Sequence, residues 1–296
     1  MEESLGGSSD EVNYSLTEDE ATTLANELTI KLKNGDRPEG NQEQIKQLIA
    51  GLADKRGLLR RTFSESLGLI GKKATPELRH ALLNSQNVTV RRAAAKTLKL
   101  VGDPDALPDL LKALLTDADL VVQGSSAGAI AIFGEKGVQY LLPVLENPLS
   151  TSIQCGLAKW GLAFIGAEGA KSLKKAAKSK QSIVRASAIA ALGDQIQSLN
   201  DDEAKSLVIN ALNDCSNEVQ IEAINLIGIL QEYDWDTRLI TTKLDSDDIE
   251  IRKQAALALM KLNAKDQIES LKERLDIESN LNVISIINLT IKMLTD

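Results

Sequence analysis

Apolar residues in this chain return at helical spacing within short stretches, and the stretches themselves recur. Residues Ala106 to Leu115 read as a first helix, with Pro108 tolerated in its first turn. Thr116-Asp117-Ala118-Asp119 is a turn, and Leu120 to Phe133 is a second helix stopped by Gly134. Val122, Ala129, Ile130 and Phe133 give that second helix one apolar side. A single hairpin of this kind cannot bury its apolar side alone, so stacked neighbours must close the core.

The neighbours are visible as a period. An aliphatic residue opens each second helix, at Leu59, Val90, Val122, Ile153, Val184, Val219, Ile251 and Val283. These anchors are 31, 32, 31, 31, 35, 32 and 32 residues apart. Arg or Gln follows seven of them directly, as in Val90-Arg91, Val122-Gln123, Val184-Arg185 and Ile251-Arg252. Glycine stands 12 or 13 residues after the first four, at Gly71, Gly102, Gly134 and Gly166, where it supplies a left-handed stop. A period held over eight units predicts an all-α fold, a right-handed α-solenoid of about eight two-helix repeats, over residues 43–296.

The flanks differ from the repeats. Residues 1–15 form an acidic, Gly/Ser-rich tail expected to be disordered. Residues 16–42 are expected to form an N-terminal helix and a linker. Thr17 and Glu20 make a capping box, and Asn34-Gly35-Asp36-Arg37-Pro38 ends the helix. The longest spacing implies an extended loop over residues 195–203 and a boundary between two halves there. The last repeat is atypical, as a terminal repeat facing water should be.

Composition narrows the function classes. Aromatics are 3% of 296 residues, so the core is mostly Leu, Ala and Ile. A net charge of −8 disfavours a long nucleic-acid surface, while a local basic patch remains compatible with it. Cys155 and Cys215 suit neither a disulfide framework nor a zinc ribbon, and reduced thiols point to a cytoplasmic setting. No apolar run reaches the roughly 20 residues of a membrane span. Gly124-Ser125-Ser126-Ala127-Gly128 matches a hydrolase elbow in form. It sits inside a predicted helix, and the one histidine, His80, belongs to another repeat. Asp245-Ser246-Asp247-Asp248 lacks the glycine and glutamate of a calcium loop and reads as a helix-capping turn.

The remaining chemistry is on the surface. Positions two and six after each anchor should face away from the core. They are Arg61, Glu65, Arg92 and Lys96 in the first two repeats. In the next three they are Gly124, Gly128, Cys155, Lys159, Ala186 and Ala190. Trp160 borders this column. A basic end that grips a carboxylate, followed by a smooth apolar middle, is the expected binding face. The competing expectation is that Arg60 and Arg91 pair with turn acids of adjacent repeats, with Arg61, Arg92 and Lys96 solvated.

The segments at residues 90–98, 157–167 and 57–63 resemble the HEAT-like repeats of cyanobacterial phycobilisome lyase proteins. The likeness is good from residue 43 to about 230 and generic beyond. It implies a bilin lyase or lyase-chaperone subunit, which holds an open-chain tetrapyrrole and presents it to a phycobiliprotein cysteine. The alternative it implies is a non-enzymatic scaffold or chaperone in phycobilisome assembly or turnover. No tightly bound cofactor is implied, only a transient phycobilin. The implied partners are a phycobiliprotein subunit and a second HEAT-repeat lyase subunit, with no nucleic acid.

Overall fold

The computed structural model describes residues 16–296, so the acidic tail at 1–15 lies outside the described residues. The described residues are all-α, with no strand. Helix α1 (Glu18–Lys33) stands before the repeats. Eight hairpins follow among the described residues. The first three are α2 (Gln42–Gly51) with α3 (Gly57–Ile70), α4 (Thr75–Asn84) with α5 (Val88–Val101), and α6 (Leu107–Thr116) with α7 (Leu120–Ile130). Next come α8 (Glu135–Glu146) with α9 (Ser152–Ile165) and α10 (Ala170–Ala176) with α11 (Ser182–Ala190). An additional helix, α12 (Gly193–Leu199), precedes α13 (Asp202–Ala211) and α14 (Asn217–Ile229). The last two hairpins are α15 (Thr237–Thr241) with α16 (Ile249–Lys261) and α17 (Ile268–Ile277) with α18 (Leu281–Thr295). The chain divides into two compact units, Met1–Ala129 and Ile130–Asp296.

One local device recurs in all eight hairpins. A polar residue starts the turn between the two helices, at Asp54, Ser85, Asp117, Asn147, Ser179, Asp214, Ser246 and Glu278. Its side chain accepts the N–H two residues on, at 2.8–3.2 Å. This local bond makes the turn without help from the rest of the fold. In six hairpins the Arg or Gln after the anchor reaches back six residues and donates to the carbonyl of that same turn residue. In three of them the guanidinium also forks onto the turn acid of the next repeat. These pairs are Arg91 with Asp117, Arg185 with Asp214 and Arg252 with Glu278.

In the first unit, α1 begins at the Thr17–Glu20 capping box and packs Ala21, Ala25 and Leu28 inward. Phe63 of α3 is fully buried, and its ring lies against Gly51, where a Cβ would come within 2.5 Å of it. Gly71 and Gly102 end α3 and α5 at φ +73 and +66, a region that favours glycine.

In the second unit, the insertion between hairpins five and six is helix α12, where an extended loop is expected. Asn200 closes it in the left-handed conformation at φ +50, and its length accounts for the 35-residue spacing. The long loop after α14 is pinned by aromatics. Trp235 is buried and its Nε1–H donates to the Leu230 carbonyl at 2.8 Å. The Tyr233 hydroxyl donates to the Ile196 carbonyl at 2.8 Å, and Lys205 Nζ lies 5.1 Å from the Trp235 ring centre. On α18, Asn288 and Lys292 occupy positions that are buried Ile224 and Gly228 on α14, and both are exposed. Helix α18 is thus polar at two positions that are covered on α14.

The anchors are buried at Val90, Val122, Val184, Val219, Ile251 and Val283, and Leu59 is half-buried. Ile153 is not an anchor: it is 48% exposed. Hairpin four has a turn two residues longer, from Asn147, and α9 starts at a Thr151–Gln154 capping box. Gln154 therefore takes the anchor register, and all four glycine stops fall 12 residues after their anchors.

Glu278 is fully buried between Arg252 and Arg274. The Arg252 fork first, then the Asn280 N–H and Arg274, hold its carboxyl down from 4.5 to about 2. A depressed carboxylate stabilises the fold above its unfolded value and loses that contribution as pH falls through its folded value. Glu278→Gln leaves two buried cations short of charge and should cost about 3 kcal/mol in urea unfolding at neutral pH. The difference from the native chain should shrink between pH about 4.5 and about 2.

Candidate functional site

The second helices of the first unit line a groove of about 710 Å³ at their N-terminal ends. Lys55, Arg60 and Arg61 stand on one wall and Arg92 and Lys96 on the other, with Ser64 and Thr89 between them. Ala53, Gly57, Ala93 and Val121 supply apolar lining. The repeat explains the assembly. Positions two and five of α3 meet positions three and six of α5, and the Lys55 turn closes one end.

The cations are not equivalent. Arg92 forks onto Asp119 at 2.8 and 2.5 Å, and this hydrogen bond holds the Asp119 carboxyl down at about 2. Arg61 donates to Glu65 at 2.6 Å, one helical turn away, and that bond raises its pKa. Arg60 donates to the Asp54 carbonyl. Lys55 and Lys96 are exposed and form no ion pair among the described residues. They are the groove's freest cations among the described residues. Lys55 escaped the sequence reading because it lies in a turn and not on a helix column.

The expected smooth middle is not formed as a surface. Gly124 is half-buried and Gly128 is buried among the small residues of α7, beside fully buried Ala127 and Ala129. Ser126, the central residue of the elbow-like motif, is also buried within α7. Ala186 is fully buried: α11 is short and rich in alanine, and an ion pair at 2.8 Å joins Lys159 of α9 to Glu218 of α14 across it. Cys155 is half-buried and, in the corrected register, occupies the position that carries Arg or Gln in six other repeats. Trp160 moves into the sixth-position column and is 50% exposed. It stacks on Phe164 with ring centres 5.6 Å apart. The structure thus brings together Arg61, Arg92 and Lys96, with Glu65 as the partner of Arg61. It places Cys155, Lys159, Trp160 and Ala186 in the second unit.

A further column went unread. The tenth position after the anchor carries exposed Leu69 and Leu100 in the first unit. In the second unit it carries Phe164, Ile229 and Met293, all exposed. Second, sixth and tenth positions share a helix side. Scattered surface leucines need no explanation, but their shared register is a signal the sequence holds.

Paired helices at a constant period, stitched through their turns, define a HEAT-repeat protein, and HEAT repeats match residues 45–131 and 205–289. The chain is 40% identical over 268 residues to the bilin biosynthesis protein MpeU of Synechococcus sp. (strain WH8020), covering 90% of each chain. It is 36% identical over 130 residues to phycocyanin operon protein Z, itself uncharacterized, of Pseudanabaena tenuis (strain PCC 7409), covering 40% of this chain and 64% of that one. The chain belongs to the HEAT-repeat phycobilisome (bilin) lyase family. A more distant alignment is with the complex of CpcE and CpcF of phycocyanin lyase from Nostoc sp. PCC7120, at 18% identity and TM-score 0.34 over 86% of this chain and 97% of that one. Among the described residues no helix is long and apolar enough to cross a membrane.

Arg91 and Arg92 are neighbours with different work. Arg91 is mostly buried, clamps a turn carbonyl and forks onto Asp117, whereas Arg92 opens onto the groove. Arg91→Ala should lower stability in urea unfolding by about 2 kcal/mol. Arg92→Ala breaks a fork that is partly exposed and screened, and should cost no more than about 1 kcal/mol. Equal losses would show that Arg92 is structural.

Proposed function

We propose that this chain is a phycobiliprotein bilin lyase subunit, and that the basic groove of its first unit holds an open-chain tetrapyrrole by its propionates. The groove carries the reading. It combines two unpaired lysines, hydroxyls at Ser64 and Thr89, and an apolar lining at Ala53, Ala93 and Val121. A bilin has carboxylates on a long apolar body, and both halves find their match there. The volume, about 710 Å³, lies within the range of small-molecule sites.

In this reading the chain contributes positioning. The nucleophile is a cysteine thiolate of the acceptor phycobiliprotein, and the bilin stays with the lyase only until it is transferred. Holding both reactants makes the attachment effectively unimolecular, which favours one cysteine and one face of the bilin. The thiolate adds across a double bond of the bilin and the thiol's proton ends on the neighbouring carbon, so the step has no leaving group and the groove's part in it is to hold the bilin in place. Kinship to a bilin biosynthesis protein over nine-tenths of both chains supports the same reading. The partners are the acceptor subunit and, by family membership, a second HEAT-repeat lyase subunit.

The test is co-expression with bilin synthesis enzymes and chromophore-free phycobiliprotein subunits, with and without a second HEAT-repeat subunit. A coloured covalent adduct should form in quantity only when this chain is present. Lys55→Glu with Lys96→Glu should weaken bilin uptake at least about tenfold, since each charged hydrogen bond lost is worth about 1.5–3 kcal/mol. Binding of the phycobiliprotein without any gain in adduct would replace lyase by chaperone. Unchanged bilin uptake by the folded double variant would remove the groove from the mechanism.

A further inference from the structure

Helix α9 exposes one apolar face. Ile153, Trp160 and Phe164 are 48, 50 and 53% exposed, and they lie at helical spacing along one side. Gly156 sits in the same stripe, and a Cβ added there would meet nothing within 4 Å, so its absence of side chain serves no internal packing. The face is therefore a ridge of large side chains with a one-residue notch. Two of the chain's eight aromatics are spent on it, both in contact with solvent. Exposed Trp beside a notch is the composition of an interface anchor.

The charge beside it is unbalanced. Lys159, next to Trp160, binds Glu218 at 2.8 Å. Glu222, one turn further along α14, is half-buried and makes no ion pair or hydrogen bond among the described residues. The charged groups around it are Lys159 and Glu218, so two carboxylates share one ammonium. Burial, chiefly, and Glu218 push the Glu222 carboxyl up, while Lys159 opposes them. A half-buried carboxylate without its own partner is an acceptor waiting for a cation.

We propose that the Ile153–Trp160–Phe164 face of α9, with Glu222 of α14, docks an apolar helix of the acceptor phycobiliprotein that brings one basic side chain to Glu222. The identity of the partner rests on the lyase reading; the surface chemistry does not. The apolar stripe covers the partner's apolar residues, and Gly156 receives a large one. The arriving cation completes the pair that Lys159 leaves open. Docking then lowers the pKa of Glu222, so it releases protons, and affinity rises with pH through the range in which free Glu222 titrates.

The test measures binding of chromophore-free phycobiliprotein subunits to the full chain by titration calorimetry, in buffers of different ionisation enthalpy, from pH 5 to 8. Trp160→Ala with Phe164→Ala should weaken binding at least about tenfold while bilin uptake in the first unit stays normal. Glu222→Gln should weaken it several-fold at pH 8 and abolish both the proton release and the pH slope. Should the double variant fail to fold, Gly156→Gln fills the notch on an open helix face and should weaken binding alone. Native affinity in the notch variant or in a folded aromatic variant overturns the proposal. So does a native chain that binds no subunit, or a pH slope that survives in Glu222→Gln. Loss of bilin uptake with subunit binding intact would fail the lyase reading instead.

Discussion

Everything in this chain depends on a turn residue that satisfies two partners at once. Its side chain takes the N–H two residues on, and its carbonyl takes the Arg or Gln six residues on. The first bond sets the geometry of the hairpin, and the second locks the second helix against it. Where the turn residue is Asp117, Asp214 or Glu278, its carboxylate also receives the preceding repeat's guanidinium. Hydrophobic burial makes the helices collapse, but it is nearly indifferent to axial sliding. Charge-assisted forks are directional, and they fix the register of one hairpin on the next.

That arrangement also explains what could be read from the sequence. The period, the glycine stops and the Arg/Gln after most anchors were legible because the clamp needs particular residues at fixed spacing. The turn of hairpin four was misread because Asn147 begins a longer turn, and Ile153 is aliphatic like a true anchor. Only packing shows that Gln154 holds the place. The groove was half legible. Arg61, Arg92 and Lys96 lie on a helix column, whereas Lys55 lies in a turn. That Asp119 engages Arg92 depends on how two repeats meet. The smooth middle failed because small side chains invite their neighbours to cover them, which a column of letters does not record.

Charge use divides along the same line. Arginines at the clamp position are mostly buried and bidentate, as their planar donors allow. Lys55 and Lys96 stand in solvent with flexible stems. A carboxylate in transit is better met by lysine, whose ammonium re-solvates easily, than by an arginine already committed to the fold. A carboxylate held at these lysines, as proposed, would come and go without loosening a hairpin.

Cys155 stands where other repeats place their clamp, and it cannot reach back to a turn carbonyl. Hairpin four consequently fixes the start of its second helix by the Thr151–Gln154 capping box and not by a clamp onto its turn carbonyl. The helix that displays the tryptophan is thus seated by its own first turn and not by the carbonyl that seats its counterparts, so its attachment is local to the surface it carries.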